Sequence, residues 1–129
     1  MDTINFMLPF PPSINDYYGR ARNGQKYIKA RGVKFRNDVK LYILKNFPKF
    51  KTLDIRLSSS LLLFPPDRRD RDHDNYHKPV WDALQHAGIY ANDKLIRSCY
   101  VEIYEYEKQR TPGAFVTLFP YKKTLRENT

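Results

Sequence analysis

The sequence has little cysteine and glycine and no long apolar run. Cys99 is the only cysteine in 129 residues. A lone cysteine excludes an intramolecular disulfide framework and any Cys-x-x-Cys pair, and it fits a reducing compartment. No apolar stretch approaches the length of a membrane span, and the N-terminus lacks the basic and apolar segments of a signal peptide. We therefore expect a cytoplasmic protein that does not bind a membrane.

The scarcity of glycine also limits the possible enzyme classes. With five glycines the chain has no P-loop, no dinucleotide-binding fingerprint and no nucleophile elbow. A chain of 129 residues fits one domain whose core needs no disulfide or structural metal. We predict a single domain over residues 1–121 and a polar tail over residues 122–129.

The positive charge is concentrated away from the middle of the chain. The formal net charge is +9, with +8 in residues 1–51, −2 in residues 52–93 and +3 in residues 94–129. A basic body around an acid-rich centre suits a metal-dependent enzyme that acts on a polyanion. An ordinary basic protein remains the alternative on charge alone.

Apolar spacing predicts an α+β domain with a mixed β-sheet, two main helices and a basic N-terminal hairpin arm. The predicted elements are a strand over 4–10, a hairpin centred on Asn23-Gly24, a helix over 33–47, a long strand over 53–63, a helix ending at Gly88, and strands over 95–107 and 114–120. We expect the last two strands to form an antiparallel hairpin, because a turn-forming Arg-Thr-Pro-Gly segment separates them.

The predicted arm is both basic and aromatic. Asn-Gly favours a type I′ turn, in which both central residues have positive φ. Cations interleaved with tyrosines can bind phosphates and stack on bases, or the tyrosines can simply pack the hairpin. In the helix that follows, the residues expected to face solvent are Lys34, Arg36, Asn37, Lys40 and Lys45.

Residues 67–78 form an unusually charged segment, with four carboxylates, three guanidiniums, two imidazoles and one ammonium. Two carboxylates about 5 Å apart repel by about 3 kcal/mol at an effective dielectric of about 20, and a bound cation removes that repulsion. Asp70, Asp72 and Asp74 would share one face of an extended segment. Oxygen ligands without cysteine suit Mg²⁺ or Mn²⁺, and the interleaved arginines suit phosphate. The alternative is a solvated loop of mixed charge.

The same segment excludes two other metal sites and raises a question about the next helix. A calcium-binding EF-hand would need Gly and Glu where Asn75 and Trp81 stand. His73 and His77 have the spacing of the zinc-protease motif His-Glu-x-x-His, but the acid is the shorter Asp74, and the only other histidine, His86, lies in the same short segment. Asp72 or Asp74 could cap the helix that follows. Pro79 then requires either a later helix start or a kink.

Two sets of residues carry a resemblance to a known family. The first is Leu8-Pro9-Phe10-Pro11-Pro12-Ser13 with Asn15 and Tyr17-Tyr18. The second is Pro66-Asp67-Arg68-Arg69, Arg71-Asp72, Asp74-Asn75, Lys78, Asp82-Ala83-Leu84, Ala87-Gly88 and Asp93. Together they resemble the RusA-type Holliday junction resolvases, endodeoxyribonucleases common in phages and prophages. The resemblance spans nearly the whole chain.

The resemblance implies a homodimer in the bacterial cytoplasm, phage or prophage encoded, that cuts four-way DNA junctions by paired symmetric nicks. It implies Mg²⁺ as cofactor, with Mn²⁺ as a substitute. It places the catalytic and metal-binding carboxylates at Asp72, Asp74 and Asp93, and a catalytic lysine at Lys78. The residues predicted to bind DNA are Arg68, Arg69, Arg71, Asn75, Arg20, Arg22 and Lys26. Asp70, where the family has a basic residue, and Pro79 depart from the pattern, and we expect Asp70 to be a bystander.

Two other functions remain open from the sequence. One is a non-catalytic, structure-specific DNA-binding protein whose carboxylates pair with neighbouring arginines. The other is a Mg²⁺-dependent phosphatase or nucleotide hydrolase that acts on small phosphates.

Overall fold

A four-stranded mixed sheet, with two helices on one face, forms the body of the protein. The computed structural model describes residues 3–122. Its elements are β1 (Ile4–Leu8), α1 (Ile14–Tyr17), β2 (Tyr18–Arg20), β3 (Lys26–Ile28), α2 (Ala30–Asn46), β4 (Leu57–Phe64), α3 (His77–His86), β5 (Ile96–Ile103) and β6 (Gly113–Pro120). The α+β class, the mixed sheet, the two main helices and the arm are therefore confirmed. Apart from Lys122, the predicted polar tail lies outside the described residues.

The sheet order is β1-β6-β4-β5, so the predicted hairpin of the last two strands is wrong. Strand β4 lies between them, antiparallel to β6 and parallel to β5. The apolar sequence of β4 favours the central position, where it is paired on both edges, while the more polar β5 takes the edge. Residues 104–112 separate the two strands, which is longer than a usual hairpin loop.

Alternation along the strands places the core on one face of the sheet. Leu57, Leu61 and Leu63 of β4 are fully buried, as are Val116 and Leu118 of β6. Complete burial of one such side chain contributes about 1.5–3 kcal/mol. The predicted long strand begins later than expected, at Leu57, because residue 53 instead forms an isolated bridge to Tyr90. Trp81 lies in the core as predicted.

The arm forms around Asn23-Gly24, but its turn is not type I′. Only Gly24 has a positive φ, of 84°, and the N–H of Gly24 donates to the carbonyl of Ala21 at 2.9 Å. The connection is a β-turn followed by a left-handed glycine, a common geometry for a longer hairpin loop. The side chain of Asn23 accepts a hydrogen bond from the Gln25 N–H at 2.9 Å, which stabilises the loop without a positive φ at Asn23.

Helix α2 buries a stripe that the spacing predicted, but one of its basic residues faces inward. Phe35, Val39 and Ile43 are buried. Arg36 was expected to face solvent, yet its side chain is only 25% exposed and forms an ion pair with Asp82 of α3. Apolar spacing does not predict this orientation, because the partner carboxylate lies 46 residues away in the sequence.

The start of α3 answers the question raised by Pro79. The helix begins at His77, so Pro79 lies in its first turn, where the backbone N–H has no intrahelical acceptor in any case. The later start is therefore correct and no kink is needed. The predicted aspartate cap is wrong, because Tyr76 precedes the helix and no side chain caps it.

Helix α3 ends beside Gly88, where the sequence predicted its end. Gly88 has a φ of 86°, and its N–H donates to the carbonyl of Gln85 at 3.0 Å. The N–H of Ile89 donates to the carbonyl of Leu84 at 3.1 Å. These two bonds form a Schellman motif, which ends the helix and directs the chain toward Asp93. Within residues 3–122, no helix is long and apolar enough to span a membrane.

Close packing of α2 against the base of the arm yields a test of the fold. A Cβ on Gly32 would lie 2.8 Å from the carbonyl oxygen of Tyr17 and 2.7 Å from Cγ2 of Ile28. We expect Gly32→Ala to lower the free energy of unfolding by about 1–3 kcal/mol, as overpacking does. Urea denaturation would measure the change, with the exposed Val33→Ala as control. If packing were loose here, the substitution would instead stabilise the helix by about 0.8–1 kcal/mol.

Candidate active site

The acidic segment begins where β4 ends. Pro65 and Pro66 follow β4 and lack the N–H groups that would extend the sheet. Asp72 is extended, with φ −89° and ψ 130°, and a short 3₁₀ turn over His73–Asn75 follows. The prediction that Asp70, Asp72 and Asp74 share one extended face is therefore wrong, because the chain turns after Asp72.

Asp67 organises the first half of this segment. Its carboxylate accepts a hydrogen bond from the backbone N–H of Arg69 at 3.0 Å and forms ion pairs with Arg69 and Arg71. These contacts, first the Arg69 backbone bond and then the guanidiniums, lower the pKa of Asp67 to about 2. Asp67 is thus ionised throughout the physiological range and holds the loop over residues 67–71 in shape.

The three interleaved arginines differ in their exposure to solvent. The Arg71 side chain is 7% exposed and donates to the Asp67 carboxylate at 2.8 Å and to the Arg69 carbonyl at 3.2 Å. It also lies over the ring of Phe10, at 5.3 Å. Arg68 is exposed, with its guanidinium 5.2 Å from the centre of the Tyr106 ring. Arg68 and Arg69 therefore present charge to solvent, whereas Arg71 is enclosed.

Lys78 and Asp93 are brought together across the polar side of α3. The Lys78 ammonium donates to Oδ2 of Asp93, whose side chain is 17% exposed. Gln85, two turns further along α3, accepts a hydrogen bond from the Asp93 N–H at 2.8 Å. Asp93 opens a short 3₁₀ turn, and the side chain of Asn92 caps that turn. Two bonds from one helix thus fix the position of this carboxylate.

Asp72 and Asp74 differ from the other carboxylates of the site. Both are exposed, and neither side chain has a hydrogen bond or ion pair to another residue in the range 3–122. Within that range, no group of three or more acidic, histidine or cysteine side chains could hold a metal ion by itself. The conformation described does not preassemble Asp72, Asp74 and Asp93 as a metal site.

A second polar network, which sequence reasoning missed, lies beside Lys78. Oδ2 of Asp82 accepts hydrogen bonds from the Tyr17 hydroxyl and from Arg36, at 2.6 Å for Nη2 and 3.0 Å for Nε. Arg36 Nε also lies 2.7 Å from the Tyr17 oxygen. Burial, followed by the hydrogen bond to Asp82, raises the pKa of Tyr17, which therefore stays protonated. A signal existed in the sequence, since polar residues at 78, 82 and 85 share one face of a helix.

The arm lies against this network. Tyr18, the first residue of β2, is half-buried, and the Lys26 ammonium is 4.1 Å from the centre of its ring. Burial and then the nearby carboxylates of Asp82 and Asp93 raise the pKa of Tyr18 to about 12. The ring of Tyr27, which is 49% exposed, covers Gly19 on the opposite strand.

The other predicted DNA-binding residues lie in two places. Arg20 and Arg22 are exposed on the arm, where Arg20 donates to the Gly24 carbonyl at 3.1 Å. Asn75 ends the 3₁₀ turn that leads into α3 and is half-buried. Its N–H donates to the Asp72 carbonyl at 3.1 Å.

Comparison with known proteins agrees with this arrangement. The sequence profile of the family Endodeoxyribonuclease RusA matches residues 9–118. The chain belongs to the endodeoxyribonuclease RusA family. Its relatives include a crossover junction endodeoxyribonuclease of Enterobacteria phage HK97, 40% identical over 98 residues, which covers 73% of this chain and 77% of the relative. The enzymes of the same name from Shigella sonnei (strain Ss046) and Escherichia coli (strain K12) are 40% and 39% identical over 100 residues, or 74% of this chain and 78% of each relative.

Family membership identifies this RusA relative as a nuclease. The matched region includes the arm, the acidic segment, α3 and Asp93. The relatives are named as crossover junction endodeoxyribonucleases. Nucleases of this kind are generally metal-dependent, which agrees with an acidic centre inside a basic body.

The enclosed position of Arg71 yields a testable contrast with Arg68. We expect Arg71→Met to lower the free energy of unfolding by about 1–3 kcal/mol, because it leaves the partners of a buried guanidinium unsatisfied. Arg68→Met should change stability by no more than about 0.5 kcal/mol. Urea denaturation of the two variants measures the difference. Equal stability, together with a loss of DNA affinity for Arg71→Met alone, would show instead that Arg71 contacts DNA directly.

Proposed function

We propose that this member of the RusA family is a Mg²⁺-dependent endonuclease that cuts four-way DNA junctions at paired, symmetric positions. The observation that carries the proposal is the pair of free carboxylates, Asp72 and Asp74, in the segment that leads into the helix whose Lys78 and Gln85 hold a third carboxylate, Asp93. The relatives named as crossover junction endodeoxyribonucleases support the choice of substrate.

The donor set fits a hard divalent cation. Mg²⁺ in nucleic-acid enzymes uses one or two carboxylates and completes its shell with water and substrate phosphate. Asp72 and Asp74 offer oxygen atoms that no described residue occupies, and the exposed segment leaves room for water. Asp93 would join them only if Lys78 releases it. When bound, the metal ion lowers the pKa of an attacking water and stabilises charge on the phosphate. Mn²⁺ would satisfy the same donor set.

The residues of the chain supply the remaining chemistry. Lys78 carries its positive charge beside Asp93, where it can stabilise the negative charge that develops on the phosphoryl oxygens. Gln85 keeps Asp93 in place through its backbone. Arg68 and Arg69 at the acidic segment, with Arg20, Arg22 and Lys26 on the arm, would hold the DNA backbone, and Asn75 would contact DNA beside the cut. Arg71 would act on DNA mainly by shaping the loop that presents Arg69.

The shape of the site favours a polymer over a small phosphate. Pockets for small molecules enclose most of their ligand. Two clefts, of about 550 and 260 Å³, include Arg69, Asp70 and Arg71 in their lining but not Asp72, Asp74, Lys78 or Asp93. Asp72 and Asp74 are exposed and the Lys78 side chain is 42% exposed, which leaves them accessible to a polymer such as DNA.

The working unit in this proposal is a homodimer in the bacterial cytoplasm. Each chain offers one candidate site, and two sites related by symmetry would cut two strands of one junction at equivalent positions. The sheet face away from the helices carries the exposed apolar side chains Met7, Tyr100 and Phe119, which provide uncharged surface for contact with a second copy.

A junction-binding protein without nuclease activity is the second candidate. The ion pairs of Asp67 with two arginines and of Asp93 with Lys78 favour it, because carboxylates satisfied by cations need no metal. It predicts binding without cleavage at every metal concentration.

Neutralising either free carboxylate separates the two candidates. We expect Asp72→Asn and Asp74→Asn to keep the affinity for a synthetic four-way junction and to lower Mg²⁺-dependent cleavage about 10³-fold, equivalent to about 4 kcal/mol of transition-state stabilisation. Gel assays of binding and of strand cleavage, with and without Mg²⁺, measure both quantities. Undiminished cleavage by either variant would contradict the assignment.

Asp70→Asn is the matched control, because it removes the same charge from the same segment and should cut normally. In equal mixtures of wild-type protein and Asp72→Asn, random pairing makes about half of the dimers mixed, and these should produce junctions nicked in one strand only, if the working unit is a dimer. A linear duplex of the same sequence tests whether the four-way structure is required.

Salt dependence tests the predicted DNA contacts. Each cation that neutralises a phosphate adds about 0.9 to the slope of log affinity against log salt. Replacing Arg20, Arg22 and Lys26 by Gln should therefore reduce the slope by about 2–3. Titrations of junction DNA at several salt concentrations measure it, with Lys45→Gln, at the far end of α2, as control. An unchanged slope would remove the arm from the DNA interface.

A further inference from the structure

We propose that Asp82 is a positioning residue of the nuclease, which fixes the root of the basic arm against α3 through Tyr17 and Arg36 so that Lys26 meets DNA beside Lys78 and Asp93. The proposal rests on the proposed function, because it assigns a role in binding the DNA that the enzyme cuts. It adds three residues that the sequence did not identify as part of the site.

Tyr17 stands at the root of the arm. It ends α1, and β2 begins at the next residue. Its carbonyl accepts a hydrogen bond from the N–H of Lys29, on the far side of the hairpin, at 2.9 Å. Gly32 allows α2 to pack closely against the same carbonyl. The two ends of the arm and the first turn of α2 thus meet at Tyr17, whose ring is fully buried.

Asp82 links this root to the helix that carries the candidate catalytic lysine. Lys78 and Asp82 are four residues apart on α3, so their side chains lie on the same face. Three donors converge on a single oxygen of Asp82, one from Tyr17 and two from Arg36. Arg36 also connects α2 to the network, so one carboxylate joins α1, α2 and α3.

The arrangement sets where the positive charge of the arm lies. Tyr18 follows Tyr17 directly, and the two rings are 4.6 Å apart, close to edge-to-face. Lys26 lies over the Tyr18 ring at 4.1 Å. A shift of Tyr17 would therefore carry Tyr18 and Lys26 with it. The root of the arm in this structure is held by the same helix that holds Asp93.

A double-mutant cycle tests the proposal. Tyr17→Phe removes only the hydroxyl, and Lys26→Gln removes the charge at the other end of the connection. Junction affinity is measured for wild type, both single variants and the double variant, in chelator so that no cleavage occurs. If Tyr17 acts through the position of Lys26, the losses of affinity caused by the two substitutions should overlap. We then expect the double variant to bind the junction at least about threefold more tightly than it would if the two single losses simply multiplied.

Three further measurements keep the test decisive. Tyr42→Phe is the matched control, because its hydroxyl bonds the N–H of Met7 on the sheet at 3.0 Å and should be independent of Lys26. Asp82→Asn keeps the size of the side chain and should show the same coupling to Lys26, which covers the case in which Tyr17→Phe folds poorly. During cleavage, Tyr17→Phe should raise KM with little change in kcat, whereas a general loss of folded enzyme would lower kcat.

The outcomes separate the two proposals. Suppose that the wild-type protein cuts the junction, but the effects of Tyr17→Phe and Asp82→Asn on affinity simply multiply with that of Lys26→Gln. That result would overturn the positioning role alone. Wild-type protein that neither binds nor cuts the junction would overturn the proposed function and the positioning role together.

Discussion

The packing of α3 against the core is the contact on which the rest of the structure depends. Val80, Ala83 and Leu84 are fully buried against the strands, and this burial fixes the rotation of the helix about its axis. The opposite side of the helix then presents Lys78, Asp82 and Gln85 in a row. The hydrophobic core thus sets the geometry of the polar site, because ten residues of one helix serve both.

The distribution of cations among the carboxylates defines the chemistry available at this surface. Asp67 and Asp82 are each held by arginines, and Asp93 by a lysine. An arginine cannot give up its charge, whereas a lysine is a compact ion on a flexible stem that can move to another anion. The lysine-held carboxylate is therefore the one that an incoming phosphate or cation could release, while the two arginine-held carboxylates remain structural.

Much of this molecule could be predicted from its sequence, and the failures have physical causes. The spacing of apolar residues identified the strands and helices, because burial of one face imposes those periods. The end of α3 at Gly88 and the arm at Asn23-Gly24 were predicted from the backbone conformations that glycine allows. Strand pairing was mispredicted, because neighbours in sequence need not be neighbours in a sheet and β4 lies between β5 and β6. The inward turn of Arg36 was missed for a related reason, since its partner is remote in sequence.

Within the site, the types of residue indicated phosphate binding, but the sequence did not predict which contacts each side chain makes. Three guanidiniums between carboxylates suggest phosphate binding, yet one of them closes a loop onto Asp67. The choice between a contact inside the protein and one with a ligand depends on the path of the backbone after β4. Composition carries no information about that path.

The position of β6 has a consequence for how the enzyme is made. β6, formed by residues 113–120, is the last strand within residues 3–122, yet it lies between β1 and β4 and pairs with both. Until it leaves the ribosome, β1 has no partner and the helices have only part of a sheet to cover. A growing chain therefore exposes its basic arm and acidic segment without the scaffold that aligns them. The acidic segment and α3 therefore obtain their complete scaffold only after residues 113–120 have joined the sheet.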